Sequence, residues 1–189
     1  MKKTVLTFGL IAGGILSVMM VLSIVFFADA IGFDRGEIVG YTSMVVAFLL
    51  IFFGVRAYRD SVAGGTVSFG RAFAVGGLIA VVASACYVAT WEVIYFKVAP
   101  NWGVQYRDYL VSKARAEGKS EAAIAETKAE TDRFLERYKN PVFNVAVTFL
   151  EPLPVALIVT LISAGVLSRR RKSDRAADQG VRPLESQRA

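Results

Sequence analysis

Two acidic side chains lie inside long apolar runs of the sequence, where they could take part in proton or cation chemistry. Glu151 belongs to the stretch TFLEPLPVAL, roughly 13 Å into its run at about 1.5 Å of helical rise per residue. Glu92 belongs to YVATWEVIYF, roughly 6 Å from the end of another run. A carboxyl group in hydrocarbon is costly, so each is expected to face the interior of a helix bundle and is a functional candidate.

The prolines that follow Glu151 are predicted to make the surrounding backbone polar. Pro152 and Pro154 lack an N–H group, so carbonyl groups one turn earlier become available to an ion, a water molecule or a side chain. Other polar side chains on the matching halves of their runs are predicted to share this polar notch: Thr148, Asn144, Tyr87, Thr90, Tyr41 and Thr42. Glu92 and Glu151 lie on consecutive runs, in the halves that are nearest the same side of the membrane. We therefore expect their protonation to be coupled.

A structural role is the simpler interpretation of both acids. A neutral glutamic acid that is hydrogen-bonded to a neighbouring helix would fix the helix register, at an average of about 0.6 kcal/mol per bond. The sequence has no histidine, and Cys86 is its single cysteine. Ser–His catalysis and the usual Cys/His metal sites are therefore excluded, and we expect no enzyme activity, no metal and no cofactor.

Four apolar runs must position these residues, at about 5–28, 38–55, 72–96 and 142–167. Each has roughly the 17–25 residues that a membrane-spanning helix requires. Hydrophobic residues make up 54% of the 189 residues, and the charges are grouped between the runs, unlike an ordinary soluble domain. The first run could instead be a signal peptide ending near Ala28 and Ala30. It exceeds the usual apolar length of about 7–15 residues, however, so we expect an uncleaved span.

Basic residues between the runs predict the orientation. They concentrate before the first run, between the second and third, and after the fourth, so both termini are expected to be cytoplasmic and segment 97–141 external. The net charge of +6 arises largely from these flanking residues, so the expected partner is the lipid bilayer rather than nucleic acid. Residues 169–189 are predicted to form a disordered basic tail in the cytoplasm.

The external segment 97–141 carries two amphipathic helical patterns, with Gly118 as a predicted C-cap and Ser120 as a predicted N-cap. The predicted fold is therefore all-α: residues 1–168 form an integral membrane four-helix bundle, with an external helical hairpin between spans three and four. Small residues at intervals of four should allow close helix packing, within the chain or in a homo-oligomer. They are Gly9, Gly13 and Ser17 in the first run and Gly76, Ala80 and Ser84 in the third.

Four segments of the sequence carry a family resemblance: GYTSMVVAFLLIFFGVRAYRD (40–60), GGTVSFGRAF (64–73), YVATWEVIYF (87–96) and TFLEPLPVALIVTLISAGVL (148–167). Their order and spacing resemble the bacterial membrane proteins of domain-of-unknown-function family 4199, over about residues 2–170. The resemblance implies a four-span protein of the bacterial inner membrane. It implies no catalytic or binding residues, because the family has no established ones.

Two functions of different class remain open from the sequence. The first is a non-catalytic multi-pass membrane protein that acts as an interaction or assembly partner of other membrane proteins through its hairpin. The second is an oligomeric small transporter or channel in which Glu151 is a proton- or cation-coupling group. A water-accessible cavity joining Glu92 and Glu151 would favour transport, whereas a closely packed notch would favour a structural role.

Overall fold

The computed structural model describes residues 1–168 apart from the side chains of residues 28–30, and helices account for most of this range. The predicted basic tail lies outside the described residues. Seven α-helices are present in the described range: α1 (Lys2–Val21), α2 (Ala28–Ser61), α3 (Phe69–Val93), α4 (Trp102–Ala116), α5 (Glu121–Tyr138), α6 (Pro141–Leu150) and α7 (Leu153–Leu167). Single π-helical turns extend α1 to Phe26 and α3 to Val98.

Four helical segments are long and apolar enough to cross a membrane: Lys2–Phe26, Ile31–Ser61, Phe69–Val98 and Pro141–Leu167. The predicted all-α fold with four spans is therefore confirmed. The second helix begins before the apolar run, because α2 continues through charged residues that a hydropathy pattern assigns to a loop. The fourth span consists of α6 and α7 in succession.

Close packing of small residues joins the four spans. The α2 and α3 helices contact each other at the centre, with α1 against both on one side and α7 against both on the other. A Cβ atom added to Gly9 would lie 2.7 Å from the Cβ of Val82, and one added to Gly13 would lie 2.6 Å from the Cβ of Cys86. Glycine is thus required for α1 to approach α3 this closely. On α3, Gly76 contacts Thr160 of α7.

Side chains of α2 are closely packed towards one end of the bundle and exposed towards the other. On α2, the side chains of Met44, Phe48 and Val55 lie on one face and are at most 2% exposed. Tyr41 continues this face towards the start of the helix, yet it is 45% exposed. No residue in 31–42 is buried. The reason lies in the fourth span, since α7 packs on α2 and α3, whereas α6 packs on α3 and α5.

The hairpin of α4 and α5 lies at the open end, which we call the hairpin end. An ion pair between Arg107 and Asp132, with Nη1 and Oδ1 3.0 Å apart, joins the two helices. Ser120 caps α5 by accepting a hydrogen bond from the backbone N–H of Ala123, as predicted. The turn between the helices contains Gly118 in the left-handed conformation, with φ of 73°.

Contacts at the start of α2 hold the hairpin against the bundle. Gly32 interrupts the helical backbone with φ of 64° and ψ of 172°, and Phe33 follows at once. The Phe33 ring packs against the rings of Trp102, Tyr106 and Tyr109 of α4, at centroid distances of 5.7, 5.5 and 5.2 Å. Next to it, the Asp34 carboxylate accepts hydrogen bonds from the Tyr109 hydroxyl and from the Lys113 ammonium group, the latter at 3.1 Å.

Candidate intramembrane site

The fourth span is interrupted at Glu151 and Pro152. Both residues keep helical dihedral angles, with φ and ψ of −60° and −50° at Glu151 and −76° and −13° at Pro152. The chain therefore keeps its direction while the hydrogen-bond ladder breaks, because Pro152 and Pro154 have no N–H to donate. The carbonyl groups of Thr148 and Leu150 lose the donors that they would have in an uninterrupted helix.

Glu151 is held by a tyrosine of the neighbouring span. The Tyr87 hydroxyl of α3 donates a hydrogen bond of 2.9 Å to Oε2 of Glu151. Glu151 nevertheless lies at the surface of the molecule, and its second oxygen, Oε1, has no hydrogen-bond partner in residues 1–168. No ion pair within the same residues involves this carboxyl group. The Oε2 atom is therefore held by Tyr87, and the Oε1 atom has no hydrogen-bond partner within the described residues.

A closed chain of hydrogen bonds lies beside this pair. The Trp91 indole N–H donates to the Tyr138 hydroxyl at 2.9 Å, and the Tyr138 and Thr148 hydroxyls are 2.7 Å apart. Thr148 donates to the amide oxygen of Asn144 at 3.1 Å, and the amide nitrogen of Asn144 donates to the backbone carbonyl of Tyr138 at 3.3 Å. Since Thr148 uses its one proton on Asn144, Tyr138 must be the donor to Thr148.

Each side chain in this series of hydrogen bonds is buried, with exposures of 7% for Trp91, 8% for Tyr138, 2% for Thr148 and 0% for Asn144. Burial raises the pKa of the Tyr138 hydroxyl above its usual value, so the group remains protonated and keeps its donor role. These hydrogen bonds connect the end of α5 to α3 through Trp91 and to α6 through Thr148 and Asn144. They therefore fix the position of the hairpin relative to the two helices that carry Tyr87 and Glu151.

The structure does not bring Glu92 and Glu151 together. Glu92 follows Tyr87 by five residues on α3, which turns its side chain by about 140° around the helix. Tyr87 contacts Glu151, so Glu92 points to a different side of α3. Its Oε1 atom is buried and has no hydrogen-bond partner in the described part of the chain. The expected coupling of the two acids therefore has no geometric basis in this structure.

Three further predicted site residues, Thr148, Asn144 and Thr90, lie in two different places. Thr148 and Asn144 lie beside Glu151, as described above. Thr90 belongs to the contact of α1 with α3, because its hydroxyl donates to the Cys86 carbonyl at 2.9 Å and lies 2.7 Å from the Ser17 hydroxyl. The three small residues predicted to support packing on α3, Gly76, Ala80 and Ser84, are all buried.

We use the term crevice for the surface region between α2, α3 and α6 where Tyr41 and Glu151 are exposed and the Tyr87 hydroxyl contacts Glu151. Tyr41 precedes Met44 by three residues and Phe48 by seven, so it points to the same side as these buried residues. It remains exposed because α6 does not cover that part of α2. Two other clefts lie at the hairpin end, and neither is lined by Glu92 or Glu151.

Sequence reasoning missed the two aromatic members of the hydrogen-bonded chain. Neither Tyr138 nor Trp91 was among the predicted site residues. They are 47 residues apart in the sequence and lie on different elements. The one signal that could have suggested their role is that buried Trp and Tyr side chains usually find a hydrogen-bond partner.

Comparison with known proteins gives one match. A family model described as a protein of unknown function (DUF4199) matches residues 7–169. No curated protein and no solved structure matches the chain.

Proposed function

We propose that this chain, which belongs to the DUF4199 family of proteins of unknown function, is a non-catalytic membrane protein that binds a partner inside the bilayer through the crevice. The observation that carries the proposal is the free oxygen of Glu151, which is exposed within a membrane span. Hydrocarbon offers no hydrogen-bond donor, so a donor from another molecule would stabilise this group. The proposed place of action is the bacterial inner membrane, with both termini cytoplasmic.

The surroundings of Glu151 support binding rather than catalysis. Tyr87 uses its single proton to orient the carboxyl group, so it does not act as an acid towards a substrate. The neighbouring side chains are occupied with one another in the closed chain of hydrogen bonds. Among the side chains, what remains available is one acceptor atom, Oε1 of Glu151, in a fixed position, which is what recognition of a partner requires.

Photochemical crosslinking in native membranes tests the proposal. A photoreactive phenylalanine analogue placed at Tyr41 reports on the crevice, and the same analogue at Val46, which is 54% exposed on another side of α2, is the matched control. We expect an adduct of one defined mass from Tyr41 and none from Val46. Replacing Glu151 with Gln should remove the adduct. Equal products at both positions, or products unaffected by Glu151→Gln, would contradict the proposal.

A small oligomeric transporter or channel is the second candidate. The observation that favours it is that the crevice opens at the hairpin end, where Glu37 lies one turn above Tyr41 on the same side of α2. In this case Glu151→Gln should abolish proton or cation flux into reconstituted vesicles while the protein remains folded. Glu92→Gln is the control and should leave the flux unchanged, because Glu92 lies on another side of α3.

A further inference from the structure

We infer that the crevice is a binding site for an organic cation, an ammonium or guanidinium group carried on an apolar body. The inference deepens the proposed function, on which it rests, by naming the chemical class that Glu151 recognises. It follows from three properties of the crevice: an acid without a basic partner, an excess of hydrogen-bond acceptors, and the half-exposed aromatic ring of Tyr41.

The carboxyl group of Glu151 has no basic partner in the described part of the chain. The basic side chains that form ion pairs in residues 1–168 do so with Asp34, Asp60, Asp108, Asp132, Glu117 and Glu136, and these acids lie on the helix ends and the hairpin. A carboxylate inside a membrane span is stabilised by an opposite charge at short range. A cation in the crevice would supply it.

The polar atoms around the crevice are almost all acceptors. Oε1 of Glu151 is free, and the carbonyl groups of Thr148 and Leu150 lack their helical donors because of Pro152 and Pro154. Tyr87 already donates its proton to Glu151. A ligand that carries only donors matches this arrangement, and ammonium and guanidinium groups are donors without acceptors. An anion or a carbonyl compound would find a single available donor here, the Tyr41 hydroxyl.

A hydrated metal ion matches the site less well than an organic cation. Calcium takes about six to eight oxygen ligands, and magnesium needs a near-ideal octahedron, whereas the crevice offers one side-chain carboxyl group. By helical rise, Tyr41 and Glu151 lie at a similar depth, about 15 Å from the hairpin ends of their spans. The exposed Tyr41 ring can therefore contact a cation held by Glu151. Exposed apolar side chains on the same helices, Ile38 and Leu150, suit an apolar body.

Direct binding to the full-length protein in lipid nanodiscs tests the inference. The probe is decylamine, and decanol is the neutral probe of the same chain length; native mass spectrometry measures both. We expect decylamine to bind wild type more tightly than decanol. Glu151→Gln should weaken decylamine binding by about tenfold or more, since a charged hydrogen bond is lost. Glu92→Gln is the matched control and should bind as wild type.

Tyr87→Phe provides a second variant that retains the carboxyl group. It should fold and weaken decylamine binding less than Glu151→Gln does, because only the orientation of the carboxyl group is lost. A second probe, a synthetic leucine-rich membrane helix with one central lysine, is compared with the same helix carrying leucine at that position. Glu151-dependent binding of decylamine indicates a free amine as ligand. Binding of only the lysine helix indicates a partner span.

Two results would overturn the inference. One is binding of neither cationic probe, and the other is binding that Glu151→Gln leaves unchanged. These results leave the proposed function intact if the crosslink at Tyr41 still depends on Glu151, because the partner would then present a neutral donor. Loss of that crosslink together with retained decylamine binding would instead contradict the proposed function alone.

Discussion

Removing the Tyr138 hydroxyl should destabilise the protein measurably, because that group both accepts and donates within the closed chain. Tyr138→Phe deletes the hydrogen bond from Trp91, at 2.9 Å, and the one to Thr148, at 2.7 Å. At about 0.5–1.5 kcal/mol for each bond, the free energy of unfolding should fall by about 1–3 kcal/mol. The Trp91 side chain is only 7% exposed, so its N–H would lack an acceptor, which favours the upper part of the range.

The assay is equilibrium unfolding in mixed detergent micelles, followed by far-ultraviolet circular dichroism. Tyr106→Phe is the matched control, because the Tyr106 hydroxyl has no hydrogen bond within residues 1–168 while its ring stacks on Trp102. Its unfolding free energy should stay within about 0.5 kcal/mol of wild type. The double variant of Tyr138→Phe with Trp91→Phe should show a coupling of about 0.5–3 kcal/mol. Equal stabilities of the two Tyr→Phe variants, or an absent coupling, would refute the reasoning.

Three further predictions concern packing, the hairpin contact and orientation. Gly13→Ala should lower the thermal unfolding temperature, because its Cβ would lie 2.6 Å from the Cβ of Cys86, whereas Gly14→Ala should not, since a Cβ there meets nothing within 4 Å. Asp34→Asn should speed hydrogen exchange in the first half of α2 and leave the second half unchanged; uniform exchange would contradict this. Alkaline phosphatase fused after Gly118 should be active and after Ser168 inactive, and the reverse would refute the proposed orientation.

The sequence was sufficient to predict the spans, because length and hydropathy alone decide whether a helix can cross a bilayer. The cap at Ser120 was predictable for a similar reason, since it depends on residues only three positions apart. The polar notch at Glu151 was visible because proline removes a backbone donor whatever its surroundings. Each of these features follows from local chemistry.

The partners of the polar residues could not be predicted, because they depend on how each helix is rotated about its axis. The apolar runs gave Glu92 and Glu151 depths of roughly 6 and 13 Å, but not the rotation of either helix. The contact between Tyr87 and Glu151 joins residues 64 positions apart, and it alone shows that Glu92 faces elsewhere. The exposure of Tyr41 was also unpredictable, since Tyr41 continues the apolar face of α2 and is exposed because of the position of α6.

Cys86, which contacts Gly13, can serve as a natural chemical probe of the contact between α1 and α3. Cys86 is the single cysteine of the sequence, and its sulfur would lie 2.8 Å from a Cβ atom at Gly13, inside the contact of α1 with α3. Cys86 is partly exposed, and separation of the two helices would expose its thiol further. A variant that loosens this contact, such as Gly13→Ala, should therefore be labelled by a maleimide faster than wild type, with no cysteine to be introduced and none to be removed.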